Sequence, residues 1–179
     1  MKYRLVGSEM CIRDSYGVDV GYGQTAWSLR TDDRVVLRER TNLRHLQPDQ
    51  LFGESDPWPT LAVTDVSFIS LRLILPALHR LLKRTDAEAL VLVKPQFEVG
   101  KERVGKGGVV RDPVAHRDAI ETVMAAAAVL GWNPQGLIAS PITGPAGNHE
   151  YLLWLSEQDA APLPDLDQLV DTTVSSSTS

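Results

Sequence analysis

The chain has 179 residues, 43% of them hydrophobic and 23% charged, which is the balance of a globular protein able to bury a real core. No apolar run approaches the length of a membrane span and no apolar h-region opens the chain, so neither a transmembrane protein nor a secreted one is expected. Its single cysteine, Cys11, excludes an internal disulfide framework and fits a reducing, cytoplasmic setting; the net charge of −5 argues at first against a nucleic-acid partner.

Taken in order, residues 1–15 show neither helical nor strand periodicity and read as a non-native, adapter-derived segment, because Tyr16 begins abruptly in a strand. Tyr16–Val20 is that strand, Gln24–Arg30 a short helix, Val35–Arg38 a second strand and Thr60–Asp65 a third. Ser67 or Ser70 then caps a helix through Lys83, with Leu71, Ile74, Leu75, Leu78, Leu81 and Leu82 at helical spacing. Glu88–Val93 is a fourth strand, 94–112 a Gly-rich loop, and Pro113 opens a helix that stops at Gly131. Gln135–Ser140 and Tyr151–Leu155 read as a closing antiparallel pair. Strand–helix alternation with short connections predicts an open α/β sheet with helices on both faces. Residues 158–179 are Pro-, Asp- and Ser/Thr-rich and are expected to be a disordered tail.

The most telling residue is Lys94. Leu90-Val91-Leu92-Val93 reads as a fully buried strand, and Pro95 stops it one residue after the lysine. Ligands of parallel sheets sit outside the carboxyl ends of the strands, where a half-desolvated lysine can serve as a base. The charge is also unevenly spread. Residues 1–155 hold 18 acids and 18 bases, whereas 94–117 holds six bases against three acids, a local excess suited to a phosphate-bearing partner.

Five blocks together resemble one family. They are Tyr16-Gly17-Val18-Asp19-Val20-Gly21-Tyr22-Gly23-Gln24, Thr64-Asp65-Val66-Ser67-Phe68-Ile69-Ser70, Val93-Lys94-Pro95-Gln96-Phe97-Glu98, Val104–Asp112, and Ser140-Pro141-Ile142-Thr143-Gly144-Pro145 with Gly147-Asn148-His149-Glu150. The stretch from Tyr16 to about Ser156 resembles the TlyA, or haemolysin-A-like, ribosomal RNA 2′-O-methyltransferases, whose catalytic domain is of FtsJ type. The resemblance implies a Rossmann-like methyltransferase fold over 16–157, S-adenosylmethionine as cofactor, and ribosomal RNA or a ribosomal subunit as partner, with cytidine as the methylated nucleoside. No metal is expected, and the oligomeric state is not read. Of the family's Lys-Asp-Lys-Glu tetrad, the last three members match Asp65, Lys94 and Glu150, with Lys94 as base, Asp65 tuning it and Glu150 holding the substrate side. Asp19 resembles the acidic residue that binds the cofactor ribose. Asn42 would lie near the adenine and Asp65 near the cofactor as well. Lys101, Lys106 and Arg111 would meet RNA phosphates.

Two rivals come from other classes. Gly100–Gly107 nearly matches phosphate-binding P-loop spacing, but Gly107 replaces the Ser/Thr that would hold magnesium, and six residues separate strand from loop. A membrane-active haemolysin lacks any spanning or strongly basic amphipathic segment. The family also carries an S4-type RNA-binding domain, the first tetrad lysine, the first strand and a Gly-rich cofactor turn, none of them read before Tyr16. The expectation is therefore an incomplete fold, with a gap beside the strand that ends at Asp19, poor S-adenosylmethionine binding and no methylation.

Overall fold

The computed structural model describes residues 15–83 and 85–175, and the chain divides into two compact units that part between Pro59 and Thr60. Of the adapter-like stretch 1–15, residues 1–14 lie outside the described residues, and Ser15 belongs to a strand.

In the first unit β1 (Ser15–Val18) and β2 (Val35–Arg38) pair in parallel, with Tyr16 opposite Val36 and Val18 opposite Arg38. The crossover between them holds α1 (Trp27–Arg30), shorter than expected because Ala26 at its N-cap offers no side-chain acceptor. After β2, Asn42 caps a 3₁₀ turn over Leu43–His45, and Pro48 opens α2 (Pro48–Leu51). Phe52 packs between the rings of Tyr16 and Trp58, at centroid distances of 4.7 and 5.4 Å, and with Leu46 and Leu51 forms a small core.

The second unit is a four-stranded sheet, ordered β3 (Leu61–Thr64), β4 (Glu88–Val93), β6 (Tyr151–Ser156), β5 (Asn133–Ala139). β3 and β4 run parallel; β6 is antiparallel to β5, as the closing pair predicted, and also to β4. The single helix expected after β3 is instead a 3₁₀ turn, Leu71–Leu73, capped by Ser70, followed by α3 (Leu75–Leu81). Pro76 explains the break, since a residue without an N–H is tolerated only in a first turn. The predicted apolar stripe survives the change, and all six of its residues are buried. The Gly-rich loop also holds more structure than expected: α4 (Pro95–Glu98) and two 3₁₀ turns precede α5 (Pro113–Ala128).

Burial of this sheet is one-sided among the described residues. Ala89, Val91, Val93, Tyr151, Leu153 and Leu155 are fully buried, and α5 adds Ala115, Ala119, Ile120, Val123 and Ala127 to the core. Large side chains of this kind contribute about 1.5–3 kcal/mol each on burial. The alternate residues tell the other half: Leu90 and Leu92 are half-buried, and Leu61, Val63, Ile138 and Trp154 are exposed. This corrects both the fully buried strand and the helices on both faces.

A second correction concerns the tail. Leu166–Ser175 forms α6, with Val170 fully buried and Arg117 of α5 ion-paired to Asp167. Leu166, Leu169, Val170 and Val174 recur at helical spacing, a stripe that the polar composition hides.

Candidate active site

Strand register alone gathers three ionisable residues. β3 and β4 are parallel with Thr64 opposite Val91, so their carboxyl ends lie side by side; antiparallel β6 starts at that same end, with Tyr151 opposite Val93. Asp65 is the first residue beyond β3, Lys94 the first beyond β4, and Glu150 the last before β6. Lys94 Nζ lies 2.5 Å from Asp65 Oδ1 and donates to Ser67 Oγ at 3.2 Å. The lysine is buried while Asp65 stays half exposed, so the pair opens to solvent through the carboxylate. Pro95 turns the chain at once into α4, whose Phe97 N–H bonds back to the Lys94 carbonyl at 2.9 Å.

Glu150 is buried, and its carbonyl accepts the Ser140 N–H at 2.8 Å, closing the β5–β6 connection. Burial pushes its carboxyl above the usual carboxylate range; the Lys94 charge opposes that shift, Asp65 adds to it, and a hydrogen bond from Gln96 opposes it. Gly144 makes room for this side chain. A Cβ built on it would stand 2.8 Å from Glu150 Oε1.

Around Lys94, α4 is interlocked with the segment that follows β3. Phe97 packs on Phe68 with ring centroids 5.2 Å apart, and Glu98 accepts from Ser70 Oγ at 2.6 Å and from the Leu71 N–H at 2.7 Å. Phe68 holds a φ of 64° and is 91% exposed, a costly backbone conformation for an aromatic residue that gains no burial in return. Burial raises the Glu98 carboxyl, against the lowering effect of its two donors and of nearby Arg72.

A second network fastens the Gly-rich loop. Gly107 and Gly108 take φ of 80° and 78°, conformations open to glycine, and shape the turn. Asn148 Oδ1 accepts the Val110 N–H at 3.0 Å and its Nδ2 donates to the Gly108 carbonyl at 2.9 Å. The Val110 carbonyl lies 2.9 Å from His116 Nε2, and since a carbonyl only accepts, Nε2 carries the proton. Nδ1 is then left to accept from the Tyr151 hydroxyl at 3.0 Å. Burial lowers the His116 pKa and raises that of Tyr151. Arg103 adds ion pairs to Asp118 at 2.5 Å and Asp112 at 3.4 Å, while Lys101, Lys106 and Arg111 remain exposed on the loop. The loop does not act as a P-loop does. It enters α5 only at Pro113, and the Asp112 carboxylate already caps that helix by accepting the Val114 N–H.

The remaining predicted residues belong to the first unit. Asp19 follows β1, its Oδ1 accepting the Gly21 N–H at 2.7 Å, while its carbonyl accepts from the Thr41 N–H. Asn42 Oδ1 caps the turn after β2 by accepting the Arg44 N–H at 3.1 Å. Thr41 and Asn42, with Arg38 and Arg40, line a cavity of about 460 Å³. A cavity of about 280 Å³ in the second unit is lined by Asp86, Glu88 and Glu157, and neither cavity includes the Lys94 cluster. Phe68, Gln96, Glu98, Asn148 and His116 take roles that the sequence reading did not assign, and Ser67, read as a possible helix cap, instead accepts from Lys94. All but His116 stood in motif blocks beside a candidate, the signal that could have found them. Among the described residues no group of three or more His, Cys, Asp or Glu could hold a metal, and no helix is long and apolar enough to cross a membrane.

Residues 5–157 match the family of FtsJ-like methyltransferases. The chain is 54% identical over 140 residues to the 16S/23S rRNA (cytidine-2′-O)-methyltransferase TlyA of Mycobacterium tuberculosis, an alignment covering 78% of this chain and 50% of that protein. It thus spans about half the length of that curated relative. Its fold is similar to the crystal structure of a hemolysin-designated protein from Lactococcus lactis, with a TM-score of 0.77, 40% identity, and 92% and 76% of the two chains covered. A SAM-dependent methyltransferase from Methanosarcina mazei shares the fold alone, with a TM-score of 0.50 at 12% identity over 79% of this chain and 81% of that one.

Proposed function

The chain belongs to the FtsJ-like methyltransferase family, and from that premise we propose that it carries the hydroxyl-activating part of an S-adenosylmethionine-dependent ribosomal RNA 2′-O-methyltransferase acting on cytidine. The observation that carries this reading is the buried Lys94 amine, 2.5 Å from Asp65 at adjoining strand ends, with Glu150 beside it.

A ribose 2′-hydroxyl is a poor nucleophile until its proton leaves, and a positioned base supplies about a hundredfold to ten-thousandfold in rate. Once the Lys94 ammonium has given up a proton, its Nζ accepts the hydroxyl proton, and the Asp65 carboxylate stabilises the ammonium that re-forms. Ser67 Oγ, the other hydrogen-bond partner of Nζ, fixes the amine's direction. Glu150, held by Gln96 and by its own backbone bond to Ser140, defines the substrate side and keeps the ribose oxygen within near-attack reach. Phe68, exposed and supported by Phe97, offers a face on which the target base stacks. Lys101, Lys106 and Arg111 meet backbone phosphates, which orient the RNA without reading its sequence.

Residues of the first unit suit the adenosine end of S-adenosylmethionine. Asp19 is an acceptor-only carboxylate at a strand end, matched to a ribose diol, and the cavity beside Thr41 and Asn42 has the volume of a small-molecule site. When bound, the cofactor supplies an electrophilic methyl group. The test joins residues 16–179 to the half of the Mycobacterium tuberculosis relative that this chain does not span, and follows labelled methyl into ribosomal RNA. Alkali-resistant, 2′-O-methylated cytidine is expected; base methylation or no transfer overturns the reading.

A further inference from the structure

The contacts of α4 form a zipper. Lys94 meets Asp65 and Ser67, Phe97 meets Phe68, and Glu98 meets Ser70 and the Leu71 N–H, so two segments from neighbouring strand ends are matched almost residue by residue. Within that zipper Glu98 is the only carboxylate whose two oxygens are both occupied by donors of the other segment, and it is 8% exposed. It is buried with both oxygens engaged, so its work is done through its neighbours.

We propose that Glu98 is a positioning residue that locks the segment 65–71 against α4, and thereby holds Asp65 on Lys94 and Phe68 in its strained, outward conformation. Three observations converge on this role. The segment between β3 and the 3₁₀ turn has no regular structure of its own, so its position depends on side-chain ties. Ser70 Oγ is bound three times, accepting from the Arg72 N–H and Arg72 Nε at 3.2 Å each and donating to Glu98. Phe68, between the Lys94–Ser67 tie and the Glu98–Ser70 tie, keeps a φ of 64° that a free loop would relax. The inference rests on the proposed function only for why such preorganisation is useful; the clamp itself is defined by geometry.

The test compares Glu98→Ala, Glu98→Gln and Ser70→Ala in the full chain. Acetic anhydride labels lysine amines, and mass spectrometry reads Lys94 against exposed Lys101 and Lys106. In the unsubstituted chain Lys94 is paired and buried, and should label slowly. Glu98→Ala is expected to raise Lys94 labelling about tenfold relative to the other two lysines, the size of effect that loss of one preorganising contact can produce. Glu98→Gln retains an acceptor for the Leu71 N–H and a polar partner for Ser70, and should restore labelling to within about threefold of the original. If Glu98→Ala fails to fold, all lysines label alike and Ser70→Ala decides, with a Lys94-selective rise of about threefold expected for half a clamp. Unchanged Lys94 labelling in Ser70→Ala and in any folded Glu98→Ala, or a failure of Gln to rescue, overturns the proposal. Methyl transfer by the joined protein separates the two claims. Selective Lys94 release alongside no 2′-O-methyl transfer by the unsubstituted joined protein contradicts the proposed function and leaves the clamp standing.

Discussion

The strip that joins Asp65, Lys94 and Glu98 and the network that joins Gly108, Asn148, His116 and Tyr151 are both largely buried and hydrogen-bonded, yet one carries charge and the other none. In the strip an ammonium faces a carboxylate that is half open to solvent, and two further acids, Glu98 and Glu150, have pKa values raised by burial. In the network every donor has a neutral acceptor, and the histidine at its centre is lowered so that it stays uncharged. Neutral bonds fasten a loop at low electrostatic cost. Charged groups kept near the surface of a core cost stability, but they can move a proton. Under the proposed function the first region reacts and the second holds.

That contrast predicts opposite responses to substitution. Asp65→Asn or Glu150→Gln should lower methyl transfer by the joined protein about a hundredfold or more, the scale of lost base assistance; Asp65→Asn, at the half-exposed end of its pair, should change unfolding free energy by less than about 1 kcal/mol. Asn148→Ala should do the reverse. It strands the Val110 N–H and Gly108 carbonyl and should cost about 1–3 kcal/mol in urea unfolding. An Asn148→Ala protein with full stability but no activity would erase the distinction.

Gly144 sits where the two regions approach Glu150. Its alanine variant would place a Cβ 2.8 Å from the carboxylate oxygen, and should lose about tenfold in transfer rate together with about 1–3 kcal/mol of stability from overpacking. A smaller effect follows at Phe68. Phe68→Gly removes a stacking face worth about 1–3 kcal/mol per base, which RNA affinity should register, and relieves a positive φ worth about 1–2 kcal/mol, so the thermal midpoint should stay level or rise. Stability and affinity falling together would mean that the ring is structural.

The smallest effects concern pH, and they run in opposite directions. His116 is lowered on folding, so its contribution is complete above about pH 6.5, the value for an unperturbed histidine, and is lost as pH falls through the lowered pKa. Glu98 is raised, so its contribution is complete below about pH 4.5, the value for an unperturbed glutamate, and is lost as pH rises through the raised one. His116→Gln should flatten the acid side of a stability–pH curve, and Glu98→Gln the side above pH 4.5. Curves that change on the wrong side would reverse the assignment of the two networks.

Much of the framework was legible because it follows from period and punctuation. Glu88–Val93 stands where its apolar run and Pro95 put it, and Asp112-Pro113 opens α5 as cap and first residue. Lys94 was legible for the same reason. Its partners at Asp65 and Glu150 came from motif resemblance, and their convergence depends on strand register, which no local pattern encodes. Phe68 was not legible at all, since nothing in the identity of a phenylalanine announces a positive φ. Glu98 and His116 escaped for a related reason. Their roles lie in long-range bonds, to residues 27 and 28 positions away for Glu98 and 35 positions away for His116. The helix at 166–175 was hidden by composition, because four apolar residues at the right spacing outweighed a polar average.

The account turns on Lys94 as the group that takes the proton from a ribose hydroxyl. The most direct measurement is the rate of 2′-O-methyl formation in ribosomal RNA by the joined protein carrying Lys94→Ala, followed across pH and checked for rescue by added small primary amines. The account predicts a loss of about a hundredfold to ten-thousandfold, partly restored by amines in proportion to their free-base concentration. A Lys94→Ala protein that methylates within about threefold of the original rate, well inside the loss expected for a removed base, would contradict it.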